Sequence, residues 1–147
     1  KKLKKLFIDS DHVIEEKTGV KVPLIFEYEG EEGFRMRETK ALEELVAKKN
    51  IILATGGGII LEKKNQKLLS EHGLVIYLKA DYDLLAIRLK NDRSRPLLQG
   101  VDIQEKLKDL SGIRDPLYRE IADFVIETKN KRATDIVNEI EMIIKGL

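Results

Sequence analysis

The chain has 147 residues, of which 42% are hydrophobic and 36% charged, with a net charge of +1. That is enough for one domain with a buried core, and the interspersed acids and bases give no reason to propose a nucleic-acid partner. With no cysteine and no apolar run near the roughly 20 residues that cross a bilayer, disulfides, thiolate metal sites and membrane spans are excluded, and a cytoplasmic protein is expected.

In chain order, Lys1–Leu6 reads as the last turn of a helix, where lysines suit the negative end of the dipole. Leu6-Phe7-Ile8 reads as a short buried strand ending at Asp9-Ser10-Asp11, residues that can cap a helix from about His12 to Thr18, stopped by Gly19. Pro23 suits the first turn of a short helix, Leu24–Glu29. After Gly30 a longer helix runs from about Glu31 to Lys48, with Phe34, Ala41, Leu42, Leu45 and Val46 as its apolar stripe. Glu38 falls on that stripe, where a carboxylate needs a partner, and Arg35 lies within side-chain reach.

Ile51–Ala54 is a short apolar run that fits a strand buried on both faces, and it leads into Thr55 and the glycines Gly56, Gly57 and Gly58. A polar helix follows, from about Glu62 to His72, then a second buried strand, Leu74–Leu78. Tyr82–Lys90 is helical in pattern, and Asn91–Gly100 is a polar, arginine-bearing loop. Helical pattern resumes over Ile103–Ile113 and again over Leu117–Ala122, on either side of a rigid turn at Asp115-Pro116. Phe124–Ile126 is a last strand, and the final helix gathers Ile136, Val137, Ile140, Ile143 and Ile144 on one face. Alternating strands and helices imply βαβ units, a parallel sheet wrapped by helices, and a single α/β domain over residues 1–147.

Several features carry possible chemistry, each beside a plainer reading. Backbone N–H groups of Gly56–Gly58 lie where open α/β sheets bind ligands, although a flexible loop tip has the same composition. Asp9 and Asp11 could hold a hydrated Mg²⁺ and grip a substrate hydroxyl, or simply cap the helix. Arg35 oriented by Glu38 suits a substrate anion; an ordinary surface pair is the alternative, weakened by the position of Glu38 on the apolar stripe. Arg88, Arg93 and Arg95 flank a loop that could close over phosphates as a lid or stand as a solvated face. Arg114 precedes Asp115-Pro116-Leu117-Tyr118, a rigid turn that would aim its guanidinium, and His12 and His72 read as surface residues.

In order and spacing, FIDSD (Phe7–Asp11), IFEYEGEEGFRMRE (Ile25–Glu38), LATGGG (Leu53–Gly58), RLKNDRSRPLL (Arg88–Leu98) and IRDPLYREIAD (Ile113–Asp123) resemble the shikimate kinases. The resemblance covers almost the whole chain and implies a three-layer α/β/α P-loop fold of the nucleoside-monophosphate-kinase type. It also implies ATP-dependent phosphorylation of the 3-hydroxyl of shikimate, with Mg²⁺, in a monomer. By that resemblance Asp11 grips the shikimate hydroxyls and takes a proton, while Asp9 is the Mg²⁺-side acid acting through water. Arg35 and Arg114 bind the substrate carboxylate, Glu38 steadies Arg35, and Gly56, Gly57 and Gly58 line the substrate. Arg95 is the lid arginine at the phosphates, Arg88 stacks on adenine, and Asn130–Arg132 fall in the adenine loop, so Arg132 joins the nucleotide site.

One element of the family pattern is not here. The GxxxxGK[ST] phosphate cradle belongs before FIDSD, and the sequence contains no GK[ST]. The expectation is a natural sequence extending upstream by roughly 20–25 residues with that strand, loop and helix. Without them, the strands beside the missing one should be left unpaired, and residues 1–147 alone should neither fold well nor bind ATP usefully. Two other readings stand beside shikimate phosphorylation: another small-molecule kinase of this fold, such as a gluconate kinase, and a non-catalytic shikimate-binding module.

Overall fold

A computed structural model describes residues 5–80 and 103–146. Lys1–Lys4, the expected helix 82–90 and the loop 91–100, with Arg88, Arg93 and Arg95, lie outside the described residues. The elements in order are β1 (Leu6–Asp9), α1 (Ser10–Thr18), α2 (Val22–Leu45), β2 (Ile51–Ala54), a 3₁₀ turn (Gly57–Leu61), α3 (Lys63–His72), β3 (Ile76–Lys79), α4 (Ile103–Ile121), β4 (Phe124–Glu127) and α5 (Ala133–Lys145).

Local chemistry explains where the first elements start and stop. Asp9 caps α1 by accepting the Asp11 N–H at 2.9 Å, and Gly19 ends the helix at φ 76°, donating its N–H to the Glu15 carbonyl at 2.8 Å. The entry to α2 has no capping side chain of its own; Glu15 of α1 supplies one from outside, taking the Val22 N–H at 2.9 Å. Gly30, at φ 72° and ψ −179°, breaks α2 into the two helical segments that the sequence pattern separates at the same residue. A side chain would be strained at that φ.

The described strands pair in parallel. β1 lies beside β2 with Leu6 opposite Ile51 and Asp9 opposite Ala54, and β3 lies beside β4 with Ile76 opposite Phe124. Among the described residues these are two separate pairs, so β2 and β3 each have a hydrogen-bonded neighbour on one side only. The same arrangement leaves open strand edges among the described residues. It corrects the expectation of strands buried on both faces: Ile51–Ala54 is half-buried throughout, and Leu6 and Phe7 are exposed. Pairs of strands with an open edge cannot be covered as a wide parallel sheet is.

The packed core sits instead between α1 and α2, where Ile14, Val22, Ile25, Phe34 and Ala41 are buried together, with Val13, Val20 and Phe26 against them. Phe26 and Phe34 stack at 4.9 Å between ring centroids. The apolar face expected on the last helix exists, but no residue of α5 is fully buried. A second correction concerns residues 103–121, one continuous helix with Pro116 inside it, where the pattern suggested two helices and a turn. The proline ring crowds the carbonyl four residues back. That residue is Gly112, whose backbone has the most freedom to yield.

Candidate active site

The end of β2 delivers the chain into Gly56, Gly57 and Gly58, and each glycine faces a different charged side chain. A Cβ at Gly56 would stand 3.2 Å from the Asp11 carboxylate oxygens. At Gly57 it would stand 3.0 Å from Arg114 Nη1 and 3.1 Å from the Tyr118 hydroxyl, and at Gly58 2.5 Å from Cζ of Arg35. Side chains would fill the space these groups now use, so the glycines serve close approach here rather than loop mobility. Asp11 comes from the first turn of α1, Arg35 from the second half of α2 and Arg114 from the middle of α4. Residues far apart in sequence thus converge on one loop.

The loop itself is pinned from behind. Asn65, fully buried, donates through Nδ2 to the Ile59 carbonyl at 3.0 Å, and Gln66 donates to the Ile60 carbonyl at 2.8 Å. From the other side the Tyr118 hydroxyl donates to the Gly57 carbonyl. Tyr118 in turn stacks on Tyr77 at 4.7 Å, and Tyr77 donates to Asp115 at 2.7 Å, which fixes α4 against β3. The Tyr77 bond and Arg119 together hold the Asp115 carboxyl below its usual range.

Arg35 is packed on every side. Its Nη1 donates to Glu38 Oε1 at 3.0 Å, its Nε lies 3.8 Å from Glu31, and its guanidinium sits 5.4 Å from the Phe34 ring centroid. Glu38 has no exposed surface, as its place on the apolar stripe requires. Burial pushes the Glu38 carboxyl up; Arg35 and, more weakly, Arg114 pull it down, while Asp11 adds to the rise. Asp11, Arg35, Glu38 and Arg114 are therefore one electrostatic unit. Burial also raises the Tyr118 phenol, against the pull of Arg114 and Arg35. Arg35 Nε and Arg114 Nε are buried donors without a hydrogen-bond acceptor.

The expected residues fall into groups. Asp11, Gly56, Gly57, Gly58, Arg35, Glu38 and Arg114 come together. Asp9, two residues before Asp11, ends β1 and caps α1. Arg132 begins α5, 84% exposed and paired with Asp135 at 3.5 Å. Arg88 and Arg95 lie outside the described residues. His12 and His72 are exposed, the first paired with Glu16 at 2.9 Å. Tyr118 and Asn65 were not singled out by sequence. Tyr118 had a usable signal, since it follows Arg114 by one helical turn and shares its face; Asn65, in a polar helix, had none.

The sequence profile of the shikimate kinase family matches residues 1–145. The chain is 51% identical over 142 residues to the shikimate kinase of Burkholderia thailandensis, covering 97% of this chain and 77% of that protein. The Acinetobacter baumannii shikimate kinase is 49% identical over 138 residues, covering 94% of this chain and 77% of that one. Its structure in complex with shikimate superposes with a TM-score of 0.93 at 48% identity, over 97% of this chain and 79% of that chain. The Bacteroides thetaiotaomicron enzyme follows at a TM-score of 0.87 and 28% identity, over 98% and 86% of the respective chains. With a profile match over nearly its whole length and relatives at half identity built on the same fold, this chain belongs to the shikimate kinase family.

Proposed function

We propose that the glycine-loop cluster binds shikimate for phosphorylation of its 3-hydroxyl by ATP, yielding shikimate 3-phosphate on the route to chorismate and the aromatic amino acids. The observation that carries this is the convergence of two arginines and one aspartate on Gly56–Gly58. Two planar guanidinium forks hold a planar carboxylate in one orientation, so Arg35 and Arg114 take the carboxylate of shikimate. Asp11, beside Gly56, takes the ring hydroxyls, and its carboxylate accepts the proton of the attacking hydroxyl as the new P–O bond to the γ-phosphorus forms and the bond from that phosphorus to the bridging oxygen breaks, releasing ADP. Glu38 keeps Arg35 in register.

Among the described residues no group of three or more carboxylate or imidazole side chains could form a metal cage. Mg²⁺ does not need one, because it keeps several waters and shares its shell with substrate phosphates. Asp9, a single carboxylate beside Asp11, fits an ion held through water. Bound there, Mg²⁺ would offset charge on the transferring phosphoryl group. Arg88, Arg95 and Arg132 serve the nucleotide, with Arg95 on the phosphates. We also take the protein to be a cytoplasmic monomer of one domain whose partners are small molecules, neither nucleic acid nor membrane; no described helix is long and apolar enough to cross a bilayer.

The test is coupled ADP release by the intact protein with ATP and Mg²⁺, run with shikimate, with gluconate and with neither. Shikimate-dependent turnover is expected. Turnover on gluconate alone would refute the assignment, and shikimate binding without turnover would leave the binding-module reading.

A further inference from the structure

The Tyr118 hydroxyl is placed between two groups that the proposed function assigns to the substrate, yet that function gives it no role. It donates to the carbonyl of Gly57 and neighbours Arg114, the charged group that acts on it most strongly. A trans peptide is planar, so its C=O and the following N–H point in opposite directions, and no cis peptide is present among the described residues. Fixing the Gly57 carbonyl therefore fixes the direction of the Gly58 N–H. Glycine itself offers that peptide little steric resistance to turning over, so the hydroxyl adds to the hold of the 3₁₀ turn, Gly57–Leu61, in which the peptide lies.

We propose that Tyr118 is a positioning residue for the acceptor: its hydroxyl locks the Gly57–Gly58 peptide and holds Arg114 beside it, so that a backbone donor and a guanidinium meet the substrate in fixed register. The inference rests on the shikimate-binding reading of this loop and deepens it. Three features support it beyond the bond itself. The ring of Tyr118 is seated on Tyr77 at 4.7 Å, so the hydroxyl is presented by a rigid platform rather than a free rotor. Tyr77 spends its own hydroxyl on Asp115 and does not touch the loop by any hydrogen bond described, which makes it the structural partner and Tyr118 the functional one. Burial keeps the Tyr118 phenol protonated, so it remains a donor throughout the neutral range.

The experiment compares Tyr118→Phe, Tyr77→Phe and Arg114→Ala in the intact protein by steady-state kinetics in both substrates and by thermal melting. Tyr118→Phe retains the ring stack and removes only the hydroxyl. It should raise the KM for shikimate roughly five- to tenfold, the loss of one hydrogen bond, with kcat reduced less, the KM for ATP unchanged and the melting temperature within about 2 °C of the parent. Tyr77→Phe should lower the melting temperature and leave the shikimate KM unmoved. Parent-like shikimate KM in Tyr118→Phe would overturn the inference, and so would an equal KM effect from Tyr77→Phe, because the hydroxyl would then act only by seating α4. If Arg114→Ala raises the shikimate KM while Tyr118→Phe does not, the positioning role fails and the binding site stands. If Arg114→Ala changes nothing, the site assignment fails and this inference falls with it.

Discussion

Substituting alanine for Gly58 tests the clamp through the backbone rather than through the arginine itself. The added Cβ would lie 2.5 Å from the Arg35 guanidinium carbon where ordinary contact begins at 3.4 Å, so the guanidinium must retreat by roughly 1 Å. The side chain cannot simply swing into solvent, because it is only 11% exposed and is tied to Glu38 at 3.0 Å. A misplacement of about 1 Å in a positioning group costs up to roughly 100-fold in rate, and charge-assisted hydrogen bonds of about 1.5–3 kcal/mol give a similar range. Gly58→Ala should therefore lower kcat/KM for shikimate by roughly 10- to 100-fold, with the KM for ATP nearly unchanged. Gly57→Ala, whose Cβ would meet Arg114 and Tyr118 at 3.0 and 3.1 Å, should show a smaller loss, since those groups need to give only slightly. Gly73→Ala is the control: its backbone is extended at φ −175° and nothing lies within 4 Å of the added atom. Coupled ADP release across the three variants reads the series. Parent-like shikimate kinetics in Gly58→Ala would mean that Arg35 is not where the substrate binds.

Other outcomes follow from the same geometry. Arg35→Ala and Arg114→Ala should each weaken shikimate binding at least tenfold by calorimetric titration without moving ATP affinity, and Arg35→Lys should be nearly as poor because an ammonium lacks the fork. Burial raises the Glu38 carboxyl above 4.5, so folding takes up a proton there; the stability it contributes is full below about pH 4.5 and is lost as pH rises through the raised value. Urea melts of the parent against Glu38→Gln should accordingly shift in favour of the glutamine variant across that interval, and a constant difference would refute the shift. Glu38→Gln should also bind shikimate more weakly, by direct titration, since Arg35 loses its charged partner. Arg95→Ala should depress kcat at least tenfold, by roughly the amount lost with a charge-stabilising group, while the shikimate Kd changes little.

Much of the fold is legible because its signals are local. Gly19, Gly30 and Asp9 punctuate the first third of the chain where backbone chemistry demands it, and Ile51–Ala54 was bounded correctly by the glycines that follow it. Pro116 misled for a physical reason: a proline signals a turn from sequence, but the carbonyl it crowds belongs to a glycine that lets the helix continue. Strand burial was overestimated because it depends on how many strands pair, which no local pattern carries. In the candidate site, the burial of Glu38 was legible from its place on the apolar stripe, and the glycines as a point of close approach. Tyr118 and Asn65 were not. Their roles are hydrogen bonds to backbone carbonyls of a loop 61 and 6 residues away, and a carbonyl acceptor leaves no mark on the sequence.

The central claim is that one carboxylate-bearing substrate is held between Arg35 and Arg114 with its hydroxyls at Asp11. A crystal structure of the protein with shikimate bound measures this directly. The account predicts the substrate carboxylate at roughly 2.7–2.9 Å from both guanidinium groups, with ring hydroxyls on Asp11 and the ring against Gly56–Gly58. Shikimate bound away from the glycine loop, or bound there with its carboxylate turned from both arginines, would contradict it.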